Sequence, residues 1–310
     1  MTRISAPHIV EHFSELSDPR HTNKRHQLID IIVIAICAVI CAADDWCAVE
    51  EYGKAKQAWF EKFLELAHGI PSHDTFRRVF AALDAEQFQA HFMAWIKSIY
   101  QVTDGEVVPI DGKMLRRSHD RSIGKDAIHM VSAWSVENNL VLGQVKVDDK
   151  SNEITAIPQL LDLLDLGGCI VTIDAIGCQK TITRKIIDKK ADYVLALKSN
   201  QSGLYDDVEE LFRYAQETAF EDCDYHKTVN KGHGRIEIRE CWTISSPEYM
   251  AYLRDRSRWA NLRTIVMVKR ERRLDKVETE IKYYISSLLR DTAPMLKTIR
   301  SHWGIENGLH

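Results

Sequence analysis

Apolar positions in the first hundred residues recur at helical spacing. Residues 28–43 are apolar on nearly every side, and such a helix has to be covered by others. Charges interspersed with Tyr52, Trp59, Phe60 and Phe63 predict a helix over 49–67, and Ser72 is placed to cap the next one. A further helix is predicted over 85–100. The expectation is a small all-α domain over 1–103, closed by the polar turn Thr103-Asp104-Gly105.

From residue 104 the period shortens to two. Strands are predicted at 107–110, 127–136 and 140–147, the last pair joined across Glu137-Asn138-Asn139. A helix over 153–164, a strand at 169–173, a helix over 179–189 and a strand at 193–197 come next. The order β-β-β-α-β-α-β predicts an α/β fold, a mixed sheet with helices on its faces. Alternation returns over 227–285, so a β-rich insertion is expected at about 222–290. Residues 293–310 read as a closing helix with Pro294 in its first turn.

The chain has 310 residues, with 41 Lys+Arg against 45 Asp+Glu and a formal charge of −4. That balance, with 45% hydrophobic residues, excludes a disordered or low-complexity chain. It leaves nucleic-acid binding to local basic patches. The longest apolar run, 31–43, has 13 residues between Asp30 and Asp44-Asp45. A spanning helix needs about 18–20, so the run reads as a buried helix and no membrane partner is expected. Seven cysteines without a CxxC pair, and no leader pattern, point to a reducing, cytoplasmic setting. No Walker loop, dinucleotide fingerprint or nucleophile elbow is present, which removes the commonest small-molecule α/β enzymes.

Three acidic residues stand out by location. Asp111 is expected to end the first strand, Asp174 ends the strand before Ala175, and Glu306 lies on the closing helix. Each has a plain structural explanation. Asp-Gly is a turn dipeptide, a carboxylate after a buried strand caps the next helix, and helical glutamates are mostly solvated. Jointly they say more. Neighbouring parallel strands deliver side chains to the crevice at their carboxyl ends, where clustered carboxylates call for a hard divalent cation. Glu306 is three residues past Trp303 and seven past Ile299, on the side expected to face the sheet.

The strings DGK (111–113), AIHMVSAWS (127–135), DDKSNEITAIPQLL (148–161), TIDAIGCQK (172–180), ALKSNQ (196–201), HGRIEIR (233–239) and HWGIEN (302–307) resemble an insertion-sequence transposase family. It is the H-repeat-associated, ISAs-type branch of the DDE transposases. DPR (18–20), IAICAVICAADDW (34–46) and GIPSHDTFRRVF (69–80) resemble that family's associated N-terminal domain. The resemblance implies an RNase H-like core over 104–310, with Asp111, Asp174 and Glu306 as catalytic and metal-binding residues for two Mg²⁺ (or Mn²⁺) ions. The gap 306 − 174 = 132 residues suits a last catalytic helix placed after a β-strand insertion. It further implies double-stranded DNA as partner (terminal inverted repeats and target), a homodimer in the DNA complex, and bacterial nucleoid DNA as the place of action. Relatives continue past the position of His310, so a missing C-terminal part is expected. The alternative is a catalytically impaired remnant that only binds DNA.

Other positions are candidates for DNA contact. Lys113, Arg116 and Arg117 lie just after Asp111. Lys198, Asn200 and Gln201 come after a strand on the carboxylate edge, with a plain polar loop the equal alternative. His233 and Arg235 flank a glycine that a hairpin turn alone explains. His302 stands one turn before Glu306, where the wider superfamily carries an arginine. Lys269, Arg270, Arg272 and Arg273 read as a solvated hairpin tip, with contact to a DNA backbone as the alternative, and Trp303 as core packing, with base stacking as the alternative.

Overall fold

The computed structural model describes residues 8–22, 24–100, 104–115, 128–148, 152–232, 235–273, 276–289 and 291–305. Two compact units divide the chain, Met1–Gln101 and Val102–His310.

The first unit is helical: α1 (His8–Phe13), α2 (Leu28–Ile40), α3 (Trp46–Phe60), α4 (His73–Ala82) and α5 (Ala85–Ile99). Ile31, Ile32, Val33 and Ile34 of α2 are fully buried, and Val49, Phe60, Phe76 and Val79 close over them. Helix α2 stops three residues earlier than its apolar run. Ala42 takes a left-handed φ of 68°, and the amides of Ala42 and Ala43 bond back to Val39 and Ala38. That double bond ends a helix even where the side chains would continue it. Asp45 and Asp84 cap α3 and α5 by accepting backbone N–H bonds, at 2.7 Å from Ala48 and 2.9 Å from Glu86. Ser72 occupies the cap position of α4, but its hydroxyl pairs with Thr75 Oγ1 at 3.2 Å instead of capping the backbone. Asp18 grips Arg20 through two 2.9 Å contacts, and the same guanidinium bonds the carbonyl of His26.

The second unit is built on one nine-stranded sheet. In chain order it runs β1 (Val107–Met114), β2 (His129–Ser135), β3 (Leu140–Lys146), α6 (Glu153–Leu163), β4 (Ile170–Ile173), α7 (Lys180–Asp188), β5 (Asp192–Leu197), α8 (Ser202–Glu217), β6 (Asp224–Gly232), β7 (Arg235–Ile244), α9 (Pro247–Met250), β8 (Thr264–Arg273), β9 (Val277–Ser286) and α10 (Thr292–Ser301). The spatial order is β3-β2-β1-β4-β5-β9-β8-β7-β6. Strands β1, β4 and β5 are mutually parallel, and every other pairing is antiparallel. The order 3-2-1-4-5 of the first five strands is that of an RNase H-like core.

Four differences from the sequence expectation have physical causes. Strand β1 runs through Asp111 to Met114, because β2 pairs with it as far as Met114↔His129. Asp111 is therefore inside a strand and not at its end. The β-rich segment adds strands β6–β9 to the same sheet through β5–β9 pairing. Helix α8 has no counterpart in the expected element order, although Leu204, Val208, Leu211, Phe212 and Ala215 are buried along one of its faces. Helix α10 ends at Ser301, and the chain turns at His302 and Trp303 before helical geometry resumes at Gly304.

The helices cover opposite faces of the sheet. On one, Met295, Leu296 and Ile299 of α10 meet Ile170, Val194, Cys241, Val266 and Val268. Full burial of such side chains stabilises by about 1.5–3 kcal/mol each. On the other, Phe212 of α8 stacks on Tyr283 of β9 with ring centres 5.8 Å apart. Neighbours Lys282 and Tyr284 consequently face the α10 side.

Asp30 yields a pH test of the first unit. It is 2% exposed inside α2, and Oδ1 finds no hydrogen-bond partner among the described residues. Burial pushes its pKa up to about 6, against a backbone bond from Leu66 that lowers it. A raised acid pKa stabilises the fold fully below the unfolded value near 3.8 and loses that contribution as pH rises through about 6. Asp30→Asn should flatten the stability profile over that interval and raise stability at neutral pH by about 2 kcal/mol, read from urea melts.

Candidate active site

The centre of the second unit is set by β1 and β4. Their parallel register pairs Pro109 with Thr172 and Ile110 with Ile173. Asp111 and Asp174 each come next and stand level at neighbouring strands. Alternation along β1 puts Pro109, Asp111 and Lys113 on one face and Ile110 and Gly112 on the other. The first is the α10 face, since Thr172 Oγ1 and His302 Nδ1 are 3.0 Å apart.

Asp174 leaves β4 into a tight 3₁₀ turn, Ala175–Gly177, and accepts the backbone N–H of Ile176 at 3.0 Å. The capping role and the candidate site role thus belong to one carboxylate. Gly177 is required there, because a Cβ would lie 2.3 Å from Ile173 Cγ2. Asn200 donates to the carbonyl of Ala175 at 2.7 Å, and Gln201 donates to Gln179 Oε1 at 3.1 Å. These two side chains bind neighbouring loops together around Asp174. Lys198 is exposed and lines a cavity of about 210 Å³ with Thr172, Asp174, Lys282, His302 and Trp303.

A third carboxylate, which no sequence motif singles out, lies on the opposite face of the sheet and within electrostatic reach of the two aspartates. Glu153 is the first residue of α6, behind the cap Asn152, whose Oδ1 accepts from Ile154 N–H at 3.0 Å. Its Oε1 lies 2.9 Å from His129 Nε2, and its side chain rests on the bare Cα of Gly112. Burial first, then the negative charges of Asp174 and Asp111, raise the Glu153 pKa against the opposing pull of His129. The signal in the sequence is Gly112, which as half of an Asp-Gly pair reads only as a turn. Glycine at mid-strand marks a close approach by something else.

Among the remaining candidates, Lys113 lies on the Asp111 face of β1, and Arg235 opens β7, four strands along the sheet from β4. Glu306, Arg116, Arg117 and His233 lie outside the described residues. Two expectations are corrected. Trp303 is not core: it is 39% exposed, with Arg270 Cζ 5.4 Å and Lys282 Nζ 5.5 Å from its ring centre. Lys269 and Arg270 sit in the body of β8, paired on both sides, and only Arg272 and Arg273 approach the β8–β9 hairpin.

Asp111 and Asp174 fit a divalent cation in donor type, since hard carboxylate oxygens suit Mg²⁺ or Mn²⁺. Among the described residues no group of three or more acidic, His or Cys side chains forms a ready-made cage.

Comparison with known proteins decides the family. Residues 102–310 match the model described as Transposase DDE domain, and residues 10–96 match the DDE_Tnp_1-associated model. The chain belongs to the DDE transposase family. It is 41% identical to the putative transposase YncI of Escherichia coli O157:H7, covering 99% of this chain and 79% of that protein. It is 38% identical to the H repeat-associated putative transposase YhhI of Escherichia coli K12, over 97% of this chain and 81% of that protein. A solved piggyBac transposase synaptic complex with hairpin DNA aligns at a TM-score of 0.42 and 8% identity, over 97% of this chain and 62% of that one. DDE transposases generally use divalent metals, and no helix among the described residues is long and apolar enough to cross a membrane.

The Gly112–Glu153 contact is open to test. In Gly112→Ala the new Cβ would lie 2.1 Å from Glu153 Oε1 and 2.9 Å from its Cγ, so the glutamate must leave its place. The expected cost is about 1–3 kcal/mol in thermal or urea unfolding, largely recovered in Gly112→Ala/Glu153→Ala. Additive losses in the double variant would show that the two positions do not meet.

Proposed function

We propose that the chain is a DNA transposase that cleaves phosphodiesters at insertion-sequence ends and transfers the freed strands to target DNA. The observation that carries this reading is the placement of Asp111 on β1 and of Asp174 just past the end of its parallel neighbour β4, each next after the paired Ile110 and Ile173, within a domain matched to DDE transposases. Glu306, three residues past Trp303 in the segment after α10, supplies the third carboxylate. Together these residues would hold two Mg²⁺ or Mn²⁺ ions, which would supply Lewis-acid activation of the attacking oxygen and charge relief at the leaving oxygen.

The chain's own residues orient the reaction. The turn Ala175–Gly177, pinned by Asn200, fixes the Asp174 carboxylate. Thr172 holds His302 over the end of β4, where its ring approaches a phosphate of the bound strand. Lys198 and Lys282, on the wall of the same cavity, neutralise neighbouring phosphates. Glu153, tethered by His129 on the opposite face of the sheet, feels the negative charge of both aspartates and backs the floor of the site. Two ends must be held together for strand transfer, so the working form on DNA is a homodimer.

The test is nicking of a plasmid carrying the element's ends, with and without Mg²⁺. Asp111→Asn and Asp174→Asn should each lower nicking by about a thousandfold while DNA affinity is retained. Metal-independent nicking, or full activity in either variant, would overturn the assignment. A wild-type chain that binds the ends and never nicks them would instead be a remnant that only binds DNA.

A further inference from the structure

A second concavity, of about 210 Å³, lies on the α10 face beside the first and shares Lys282, Tyr284, Ile299 and Trp303 with it. Strand register builds its basic wall. Arg239 of β7 pairs directly with Arg270 of β8, which pairs with Glu280 of β9, while Lys282 is two residues on along β9. Arg300, at the end of α10, closes the rim. Four cations therefore converge on one hollow, floored by the apolar Val268, Leu296 and Ile299.

Among the described residues, the carboxylates that pair with these cations do not balance them. Glu237 holds Arg239 at 2.8 Å and stands 3.9 Å from Arg270, and Glu280 holds Arg270 at 2.6 Å and Lys282 at 3.2 Å. Two carboxylates thus serve Arg239, Arg270 and Lys282, and neither is paired to Arg300. Arg239 is buried enough that Nη1 is shut from solvent, and that atom has no hydrogen-bond partner among the described residues. Burial, together with Arg300 and Arg270, holds its guanidinium below the usual value despite Glu237. Like charges paired directly across strands destabilise a sheet unless an anion sits between them. The indole of Trp303, flanked by Arg270 and Lys282, forms the wall between this hollow and the one that contains Asp174.

We propose that the hollow bounded by Arg239, Arg270, Lys282, Arg300 and Trp303 binds a backbone phosphate of the DNA, one that flanks the phosphodiester held at Asp111 and Asp174. A phosphate there accepts from the guanidinium fork of Arg239 and Arg270 and offsets part of the excess positive charge, with Trp303 as its apolar side wall. The site rests on the DNA reading above, yet its chemistry is that of an anion site in its own right.

The experiment uses the full chain and a fluorescent duplex of arbitrary sequence, without divalent ion, over a series of NaCl concentrations. Arg270→Gln/Arg300→Gln should lower affinity about tenfold and reduce the slope of log K against log salt by about 1–2. Arg213→Gln, an exposed arginine paired to Glu210 on α8, should leave both unchanged. Glu280→Gln releases Arg270 and Lys282 and should tighten binding by about threefold, a gain that a misfolded variant cannot imitate. Inorganic pyrophosphate should raise the melting temperature of the wild-type chain and not that of the arginine double variant. If the wild type ignores the duplex while pyrophosphate discriminates in this way, the DNA reading falls and the anion site stands. Unchanged affinity and slope in the double variant, with no pyrophosphate discrimination, would overturn the proposal.

Discussion

The pairing of β1 with β4 is the interaction on which the catalytic unit depends. Backbone hydrogen bonds fix Ile110 against Ile173, and the next residue on each strand is placed by that pairing. A slip of one residue would turn Asp111 to the opposite face and separate it from Asp174. The register is secured by burial: Val108, Ile110, Val171 and Ile173 are almost fully enclosed, so their exposure on a slip would cost several side chains' worth of hydrophobic stabilisation.

The rest of the sheet extends that arrangement. By pairing β9 onto β5, the four later strands form a continuous platform and not a separate lobe. The α10 face of this platform is apolar where the helix lies and basic beyond it, as side chains alternate outward from Val268 to Arg270 and from Tyr284 to Lys282. A single helix thus serves as the lid of a core and as the rim of a charged hollow. The turn at His302 and Trp303 brings both side chains to the boundary between those regions.

Local patterns made much of this legible. Apolar periodicity located α2 to α5 of the first unit, but it gave no sign of α1 and carried α2 and α3 past their ends at Ile40 and Phe60. It lost α8 because charged residues dilute the helical spacing there. Strand alternation gave β1 to β5 in order, and the parallel neighbours that bear Asp111 and Asp174 were implied by strand–helix–strand succession. Glu153 was invisible as a site residue because nothing within its own helix distinguishes it. Its meaning comes from Gly112, forty-one residues earlier, and from His129 on a different strand.

The sequence by itself determined the helical first unit, the mixed α/β character of the second and the family to which the chain belongs, because those depend on periodicity and short motifs carried within contiguous segments. Tertiary structure alone decided that Glu153 lies across the sheet within electrostatic reach of the aspartates, that Trp303 is exposed between two cations and that Arg239, Arg270, Lys282 and Arg300 face one hollow. Each of those depends on strand register and on which face a helix covers. Such quantities are fixed by the packing of residues far apart in the chain, and no local pattern encodes them.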